Sequence, residues 1–335
     1  MKAIVATQFG GPDLLTYTDI DQPQAGPGQV LIKVEACRVN FSDIKTRRGS
    51  KGNGKVPYVP GIDAAGVITE VGGNVHGFTV GQRVIAFPKG GAYAEYAVAP
   101  ANLTFPISEK IDFLTAAAAP IASFTAYQLL ADVARIQAGE TVLVHAAGGG
   151  VGTTAIQLAK LLGAGKVIGT VSKDEKADVV LKSGADHVIN RSAEDFAKKT
   201  LEFTNGAGVD IVLDSIAGDV TEKSLDCLAM FGRIAHFGNA GGKSGLIQTK
   251  DLHASCRSIR GFSFGIVRKH KPEFVQPVAA QIIHYLEEEQ LNMVVGHTYK
   301  LADAAKSHAL IEERKNKGKI VLIPPHSKLN QSLQM

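Results

Sequence analysis

The pattern of hydrophobic and polar residues changes near Thr115. Before this residue, short runs of alternating apolar and polar residues are separated by Gly/Pro turns, which is typical of a β-rich domain. The strands predicted there are KAIVA, QVLIKVEACRVN, AAGVITEVG and QRVIAF. Beyond it, longer helical patterns alternate with apolar strands, including 209–215 and 232–239. This alternation indicates a parallel α/β sheet in the second part of the chain.

Two further stretches complete the outline. Residues 113–131 are alanine-rich and carry Pro120, Ser123 and Gln128, which favours a buried helix over a membrane span. After Phe262 the pattern predicts a helix around 272–289, a strand at 297–299, a helix at 301–313 and a terminal strand KIVLIP. Because these elements lack a strand–glycine–helix pattern of their own, we expect them to rejoin the β-rich half.

The sequence from Thr141 to Val171 predicts a dinucleotide-binding βαβ unit. An apolar β-branched run ends in a cluster of small residues, and a helix and a second strand at 166–171 follow. Glycines at the turn let the backbone approach a pyrophosphate, and the start of the helix presents free N–H groups to it. The residues predicted to make this contact are Gly149, Gly150, Val151 and Gly152.

The end of the second strand indicates which dinucleotide binds. An acidic residue there would hold the ribose 2′-hydroxyl of NAD, but Val171 and Ser172 occupy the position. Ser172, Lys173 and Lys176 offer a hydroxyl and two cations for a 2′-phosphate, and Arg191 at the end of the next predicted strand adds a guanidinium, so the sequence favours NADPH. In the alternative interpretation, Lys173 and Lys176 form a solvated helix start.

Composition excludes several classes of protein. The 335 residues are 45% hydrophobic, enough for a large core, and the length suggests two domains. With a net charge of +4 and no dense Lys/Arg run interleaved with aromatic residues, we expect no nucleic-acid partner. Three cysteines without repeated spacing and an N-terminus without an apolar signal favour the cytoplasm, and we expect no membrane association.

Several motifs in order along nearly the whole chain resemble one family. They are GGPDLL near the start, VNFSD at 39–43, VPGIDAAGVITEVG at 59–72, GQRV at 81–84, GAYAEY at 91–96, IASFTAY at 121–127, HAAGGGVG at 145–152, LDSIAG at 213–218, FGNAGG at 237–242 and GKIVLIP near the end. The chain thus resembles the zinc-free quinone oxidoreductase (zeta-crystallin-like) branch of the medium-chain dehydrogenase/reductase superfamily.

The resemblance implies an α/β fold with two domains, one catalytic and one that binds the cofactor. A GroES-like β-rich catalytic domain is built from residues 1–121 and 262–335. A Rossmann doubly wound parallel sheet, residues 122–261, is inserted between these segments and binds NADPH. The resemblance also implies that the chain forms a homodimer and that its substrate is a small-molecule quinone or enone.

The resemblance makes zinc a specific question. In zinc-dependent relatives a cysteine stands where this sequence has Asn40, and a His-Glu pair stands at Ile62 and Asp63. Cys37 lies too early to substitute. Catalytic zinc needs three protein ligands of nitrogen, sulfur or carboxylate type, and neither Asn40 nor Ile62 supplies one. We therefore expect no metal, and we expect Cys227 and Cys256 to be small core residues.

The resemblance also assigns site residues. Asn40 and Asp43 are placed near the substrate, although Asp43 can equally anchor the following turn. Lys45 stands where relatives carry a substrate-facing tyrosine; it either meets an anionic substrate or lies in solvent with Arg47 and Arg48. The remaining residues expected near the cofactor are Thr125, Ser215, Phe237, Gly238, Asn239, Phe262, Phe264 and Lys319. Lys319 has the alternative of an exposed lysine, and His145 is expected to be structural.

Without zinc, acceptors that take hydride readily fit best, because no Lewis acid polarises a simple ketone. The sequence therefore predicts an NADPH-dependent reductase of quinones or α,β-unsaturated carbonyls. Three alternatives stay open: a 2-alkenal or enoyl-thioester reductase, a non-catalytic NADPH-binding protein of crystallin- or RNA-binding-like type, and a zinc alcohol dehydrogenase, which the missing ligands disfavour.

Overall fold

The computed structural model describes residues 1–50 and 54–333, which divide into two compact units. The first unit comprises Met1–Ile121, His270–Glu289 and Met293–Met335, and the second comprises Ala122–Lys269 and Gln290–Asn292. Within the described ranges, no helix combines the length and apolarity that crossing a bilayer requires.

The first unit is built mainly on antiparallel β-structure, with one parallel pair, β14 and β15. Its strands are β1 Lys2–Ala6, β2 Leu15–Asp19, β3 Gln29–Val39, β4 Ala64–Val71, β5 Arg83–Ala86, β6 Tyr96–Pro100, β7 Thr104–Pro106, and, near the C-terminus, β14 Val295–Lys300 and β15 Lys319–Ile323. A sheet runs in the order β14-β15-β3-β4-β5-β7, with β6 also paired to β3, while β1 and β2 form a separate ribbon. Because β15 pairs with β3, the two ends of the chain share one sheet.

The second unit contains a six-stranded parallel sheet. Its strands are β8 Thr141–Val144, β9 Lys166–Val171, β10 His187–Asn190, β11 Val209–Asp214, β12 Leu228–His236 and β13 Ser258–Gly261. The order β10-β9-β8-β11-β12-β13 is that of a Rossmann fold, whose strand order reverses between β8 and β11. Ligands of such sheets bind beyond the carboxyl ends of the strands beside this reversal.

The helices connect and cover these sheets. The α-helices are α1 Phe41–Arg47, α2 Phe113–Ala118, α3 Pro120–Gln128, α4 Gly150–Leu161, α5 Ala177–Lys182, α6 Phe196–Phe203, α7 Asp219–Ser224, α8 Lys250–His253, α9 Phe264–His270, α10 Val275–Glu287 and α11 Ala304–Glu312. Shorter 3-10 turns are Pro12–Leu14, Ala101–Leu103, Asp174–Lys176, Leu225–Cys227, Pro272–Phe274, Leu301–Asp303 and Lys328–Leu333, and Leu129–Ala134 is a π-helical segment.

Two details differ from the sequence-based outline. The single helix expected over 113–131 is divided at Pro120, because proline has no N–H to donate to the preceding turn. The chain returns to the first unit at His270 rather than at Phe262. The segment between belongs to the second unit because Phe264, at the start of α9, packs against Phe124 with ring centroids 6.1 Å apart.

Candidate functional site

The glycine turn after β8 has the geometry of an anion site. Gly149 is the N-cap of α4; its own N–H donates to the Ala146 carbonyl at 3.0 Å, and the Thr153 N–H, in the first turn of the helix, donates to the Gly149 carbonyl at 3.0 Å. The N–H groups of the preceding turn, from Gly150 to Gly152, are therefore directed toward the turn at the positive end of the helix dipole. This arrangement suits a diphosphate.

Gly152 is required by close packing of backbone. A Cβ at this position would lie 2.5 Å from the Ala147 carbonyl oxygen and 2.6 Å from that of Ala146. Ala147, which replaces the first glycine of the usual fingerprint, is fully buried. Its methyl group is accommodated by Gly169 of β9, where a Cβ would lie 2.8 Å from the Ala147 Cβ. The alanine thus fits the turn without weakening it.

Lys176 lies over the glycine turn. It is only 9% exposed, and a Cβ on Gly148 would lie 3.1 Å from the Lys176 Cβ and 3.2 Å from its Cδ. The interpretation of Lys176 as part of a solvated helix start is therefore wrong. Lys173 fits that interpretation, because it is exposed and its Nζ lies 3.8 Å from the Glu175 carboxylate.

Ser172 and Arg191 follow the carboxyl ends of the neighbouring strands β9 and β10. The Arg191 N–H donates to the Val171 carbonyl at 3.0 Å, and the Ser192 hydroxyl donates to the Ser172 carbonyl at 3.1 Å. Both Ser172 and Arg191 are half-buried. These bonds bring the two predicted phosphate-binding residues to one edge of the sheet; their role in binding stays a prediction.

His145 is a packed structural residue, as predicted. It is 2% exposed, its Nδ1 lies 2.9 Å from the Thr170 hydroxyl, and its Nε2 lies 3.0 Å from the Ser224 hydroxyl. Burial lowers its pKa to about 4, and the charge of Arg191 acts in the same direction. The imidazole is therefore neutral near pH 7 and bonds to hydroxyls on both sides.

Four further predicted residues meet where β11 and β12 end. The Phe237 N–H donates to the Asp214 carbonyl at 2.9 Å, and a Cβ on Gly238 would lie 2.9 Å from the Ser215 carbonyl oxygen. Asn239 is the next residue along the chain. The structure thus places Ser215, Phe237, Gly238 and Asn239 together beside the strand reversal, the region where a dinucleotide binds in this topology.

Asp214 holds this turn and was missed by the sequence-based reasoning. Its buried carboxylate accepts the N–H groups of Ile216 at 2.8 Å and Ala217 at 3.1 Å, and also the Thr221 hydroxyl. Its position at the end of an apolar strand, before a small-residue turn, is the signal that could have identified it.

The other predicted residues of the second unit lie on α3 and after β13. Thr125 is 7% exposed and follows Phe124, whose ring packs against Phe264. The Phe262 N–H donates to the His236 carbonyl at 2.8 Å, which fixes Phe262 directly after the edge strand. Thr125 and Phe264 therefore share a neighbourhood, and their contact with a cofactor stays a prediction.

In the first unit, Asn40 and Asp43 are joined at the start of α1. The Asn40 N–H donates to Asp43 Oδ2 at 2.8 Å, and the Asp43 N–H donates to the Asn40 carbonyl at 2.9 Å. Asp43 thus stabilises the helix start, one of the two roles considered for it. The Asn40 Nδ2 donates to Asp63 Oδ1 at 2.7 Å, which fixes the orientation of the amide because a carboxylate only accepts.

Asp63 and Tyr93 complete this buried group and were missed as members of it. The other Asp63 oxygen accepts the Ile121 N–H at 3.2 Å, and the Tyr93 hydroxyl lies 3.3 Å from Asp43 Oδ2 and 3.1 Å from His308 Nε2. Burial, followed by the charge of Asp43, raises the pKa of Tyr93 well above its usual value. No local pattern could indicate this contact, because His308 lies 215 positions from Tyr93.

The basic residues of α1 have different environments. The Lys45 Nζ lies 5.4 Å from the centre of the Phe41 ring, and Lys45 is half-buried. The expectation that Arg47 lies in solvent is wrong: its side chain is 0% exposed, donates to the Gly10 carbonyl at 2.7 Å and pairs with Glu312. Arg48 is exposed and pairs with the same carboxylate at 2.7 Å.

The burial of Lys319 and of the three cysteines can be compared with the expectations from the sequence. Lys319 is 1% exposed, so its interpretation as an exposed lysine is wrong, while its contact with a cofactor stays a prediction. Cys37 and Cys227 are buried, but Cys256 is exposed rather than part of a core. None of the three is in a disulfide.

The residues at the positions of zinc ligands do not fit the metal. Asn40 engages Asp63 through its amide nitrogen, and Ile62 has no donor atom. Burial raises the pKa of the Cys37 thiol well above its usual value, which opposes the thiolate that zinc requires. Among residues 1–50 and 54–333, no cluster of three or more His, Cys, Asp or Glu side chains could hold a metal ion.

Known proteins are similar to this chain in both sequence and fold. Residues 26–109 match the alcohol dehydrogenase GroES-like domain and residues 150–280 match the zinc-binding dehydrogenase family. The chain is 37% identical to the Homo sapiens quinone oxidoreductase, covering 96% of this chain and 98% of that one. It is 36% identical to a 2-haloacrylate reductase of Burkholderia sp, covering 97% and 99%.

A solved structure agrees with these sequence matches. The Escherichia coli quinone oxidoreductase complexed with NADPH superposes with a TM-score of 0.90 at 31% identity, covering 97% of this chain and 100% of that one. The motifs, the Rossmann strand order and the relatives agree. This chain therefore belongs to the quinone oxidoreductase branch of the medium-chain dehydrogenase/reductase superfamily.

Proposed function

We propose that this chain is an NADPH-dependent oxidoreductase that reduces quinones or activated α,β-unsaturated carbonyls without zinc. The observation that carries the proposal is the glycine turn of α4, where Gly152 allows backbone to approach and Lys176 lies over Gly148. Relatives named quinone oxidoreductase, one of them complexed with NADPH, support the same function.

The residues of the second unit bind the dinucleotide in this proposal. The N–H groups at the start of α4 hold the diphosphate, while Ser172, Lys176 and Arg191 hold the 2′-phosphate. Ser215, Gly238 and Asn239 bind beside the strand reversal. When bound, NADPH supplies a hydride, which the acceptor takes up together with one proton.

The residues of the first unit act on the acceptor. Asn40 uses one N–H of its amide on Asp63, and we assign its second N–H to the acceptor carbonyl, whose oxygen gains negative charge during reduction. Asp63 is then a positioning residue that holds the amide. Quinones and enones suit this site because they spread the incoming charge over a conjugated system and need few donors.

A cytoplasmic location and a homodimer belong to the same proposal. Three free cysteines, with Cys256 exposed, support a reducing cytoplasmic location. A homodimer is supported by β13, which forms an edge of the parallel sheet, and by Met230 and Phe231 on the adjoining β12, which are 67% and 69% exposed. Light scattering of the purified protein tests the dimer.

The activity is tested by titrating the protein with NADPH and NADH and then following NADPH oxidation by 1,4-benzoquinone, 9,10-phenanthrenequinone and a 2-alkenal, with and without a chelator. We expect selective NADPH binding and chelator-insensitive turnover. Preference for the 2-alkenal would identify an alkenal reductase. Tight NADPH binding without turnover of any acceptor would instead identify a binding protein, and loss of turnover with the chelator would contradict zinc independence.

A further inference from the structure

The carboxylate of Asp214 joins two loops that follow neighbouring strands of the parallel sheet. Asp214 is the last residue of β11 and is fully buried. Its Oδ1 accepts the N–H groups of Ile216 at 2.8 Å and Ala217 at 3.1 Å. Its Oδ2 accepts the Thr221 hydroxyl of α7 and lies 3.2 Å from Nδ1 of His236, the last residue of β12. One side chain therefore bonds to the turn after β11, to α7 and to the end of β12.

The carboxyl group of Asp214 is ionised although it is buried. Burial alone would raise its pKa, but the Thr221 hydroxyl, the neighbouring His145 and the two backbone N–H groups together hold it below its usual value. A carboxylate accepts hydrogen bonds and donates none, so His236 carries a proton on Nδ1. An uncharged amide at this position could not accept the same set of bonds.

Backbone hydrogen bonds tie the two loops together beyond the carboxylate. The Ala240 N–H donates to the Ser215 carbonyl at 2.9 Å, and the Gly241 N–H donates to the Ile216 carbonyl at 2.8 Å. These contacts are too close for side chains: a Cβ on Gly241 would lie 2.9 Å from the Ile216 carbonyl oxygen, and a Cβ on Gly238 would lie 2.9 Å from that of Ser215. The loop after β11 therefore fixes the loop after β12.

The turn that Asp214 holds contains a backbone conformation that few residues adopt. Ala217 has φ of 70°, in the left-handed region where a side chain crowds the backbone. A residue stays in this region only where the surrounding structure imposes it. The bond from the Ala217 N–H to Asp214 Oδ1 is one such constraint. The shape of the turn therefore depends on the carboxylate.

The strand order assigns these two loops to one half of a dinucleotide. A Rossmann sheet consists of two mononucleotide-binding halves, which are here β8–β10 and β11–β13. Ser172, Lys176 and Arg191, which hold the 2′-phosphate in the proposed function, all follow strands of the first half. The adenosine half of NADPH then lies beyond β8–β10, and the nicotinamide half lies beyond β11 and β12.

We propose that Asp214 is a positioning residue for the nicotinamide half of NADPH, because it holds the loops after β11 and β12 in the arrangement that this half requires. The proposal deepens the proposed function and rests on it. Asp214 does not touch the cofactor in this proposal, since its oxygens are engaged by protein donors; it acts through Ser215 and Gly238. Hydride transfer depends on orientation, so displacement of the nicotinamide half lowers kcat as well as affinity.

The test compares NADPH with 2′,5′-ADP, a fragment that carries the 2′-phosphate and the adenosine but lacks the nicotinamide half. Isothermal titration calorimetry measures both Kd values in Asp214→Asn, where an NH2 group replaces one acceptor oxygen. We expect the NADPH Kd to rise about tenfold and the 2′,5′-ADP Kd to stay unchanged. Asp210→Asn is the control at the other end of β11, where Asp210 Oδ2 accepts the Thr141 N–H at 2.8 Å. It should change neither Kd.

Thr221 gives the same comparison with a smaller change. Thr221→Val removes one hydrogen bond to Asp214 and keeps the shape of the side chain, so we expect a rise of about fivefold in the NADPH Kd and none in the 2′,5′-ADP Kd. Thr221→Ser keeps the hydroxyl and should restore the wild-type values. Circular dichroism checks folding, so the test does not depend on whether Asp214→Asn folds.

The outcomes separate this inference from the proposed function. Equal changes in both Kd values, or no change in either, in the folded variants would show that Asp214 only stabilises the sheet, and the inference would be wrong. Failure of the wild-type protein to bind either compound would overturn the proposed function and the inference with it. Because binding needs no turnover, the positioning role is tested even if the wild-type protein reduces no acceptor.

Discussion

The glycine turn of the second unit offers backbone groups to a ligand, whereas the Asn40 group of the first unit consists of side chains. At the turn, the binding groups are backbone N–H groups, and their direction is set by where α4 begins at Gly150. In the Asn40 group, side chains converge from distant positions: Asn40 and Asp63 are 23 residues apart, and Tyr93 and His308 are 215 apart. A backbone site can therefore be derived from neighbouring residues, whereas a side-chain site depends on the whole fold.

The largest effect is expected where backbone packs on backbone. Gly152→Val places carbon atoms where the Ala147 and Ala146 carbonyl oxygens already lie within 2.6 Å of the Cβ position. The turn must open, and we expect the NADPH Kd to rise more than about 100-fold through loss of the aligned N–H groups. Fluorescence titration measures the Kd, and circular dichroism checks that the variant is folded.

Gly73→Ala is the matched control for that variant. A Cβ at Gly73 meets no atom within 4 Å, so this substitution should leave the NADPH Kd unchanged. Retained NADPH affinity in folded Gly152→Val would show that the turn of α4 is not the diphosphate site.

The local elements around the turn were predictable from the sequence for the same reason. Strands β8 and β9 occur at 141–144 and 166–171, as predicted, because apolar runs bounded by glycine define their own ends. Burial of charged residues was not predictable. Arg47 and Arg48 are neighbours in sequence and both pair with Glu312, yet one is fully buried and the other exposed. Only Arg47 also donates to the Gly10 carbonyl, which lies 37 positions away in sequence.

Lys319 and Cys256 also show that burial was not predictable from residue type: one is buried where exposure was considered, and the other is exposed where burial was expected. The run KNKGK favours an exposed lysine by composition, but Lys319 begins a central strand and is buried with it. Cys256 was expected in a core because cysteine is commonly buried, but it lies in a loop with φ of 51° and is exposed. In both cases the position within the fold outweighs residue type.

The second prediction concerns the side-chain site. Asn40→Ala removes the amide that we assign to the acceptor carbonyl, and we expect kcat/KM for 1,4-benzoquinone to fall about 100-fold with an unchanged NADPH Kd. Asp43→Asn is the comparison, because Asp43 stabilises the start of α1. It should cost about 1 kcal/mol of stability and retain most of kcat/KM. A larger loss of kcat/KM in Asp43→Asn than in Asn40→Ala would reverse the two roles.

The third prediction uses the buried His145 to probe the base of the turn. Its pKa is lowered from 6.5 to about 4, so the unfolded chain takes up a proton near pH 6.5 while the folded protein does not until about pH 4. Stability is therefore lost as the pH falls through this window. From pH 7 to pH 5 His145 should cost about 2 kcal/mol of unfolding free energy.

His145→Gln isolates that contribution. Urea unfolding at pH 7 and pH 5 should show a smaller pH-dependent loss in this variant than in the wild-type protein. His308, whose pKa is lowered to about 3 mainly by burial, titrates in both proteins and cancels in the comparison. An equal loss in both proteins would mean that His145 is not the group responsible.

The smallest expected effect lies where a side chain completes the backbone site. Lys176 packs its aliphatic chain over Gly148, so its ammonium can add one charge-assisted contact to a 2′-phosphate. Lys176→Gln should raise the NADPH Kd about tenfold and leave the NADH Kd unchanged, because NADH lacks that phosphate. Lys173→Gln, at an exposed lysine three residues earlier, should change neither value. Equal effects of Lys176→Gln on the Kd values of both cofactors would show that Lys176 stabilises the turn and does not bind the 2′-phosphate. The preference for NADPH would then depend on Ser172 and Arg191.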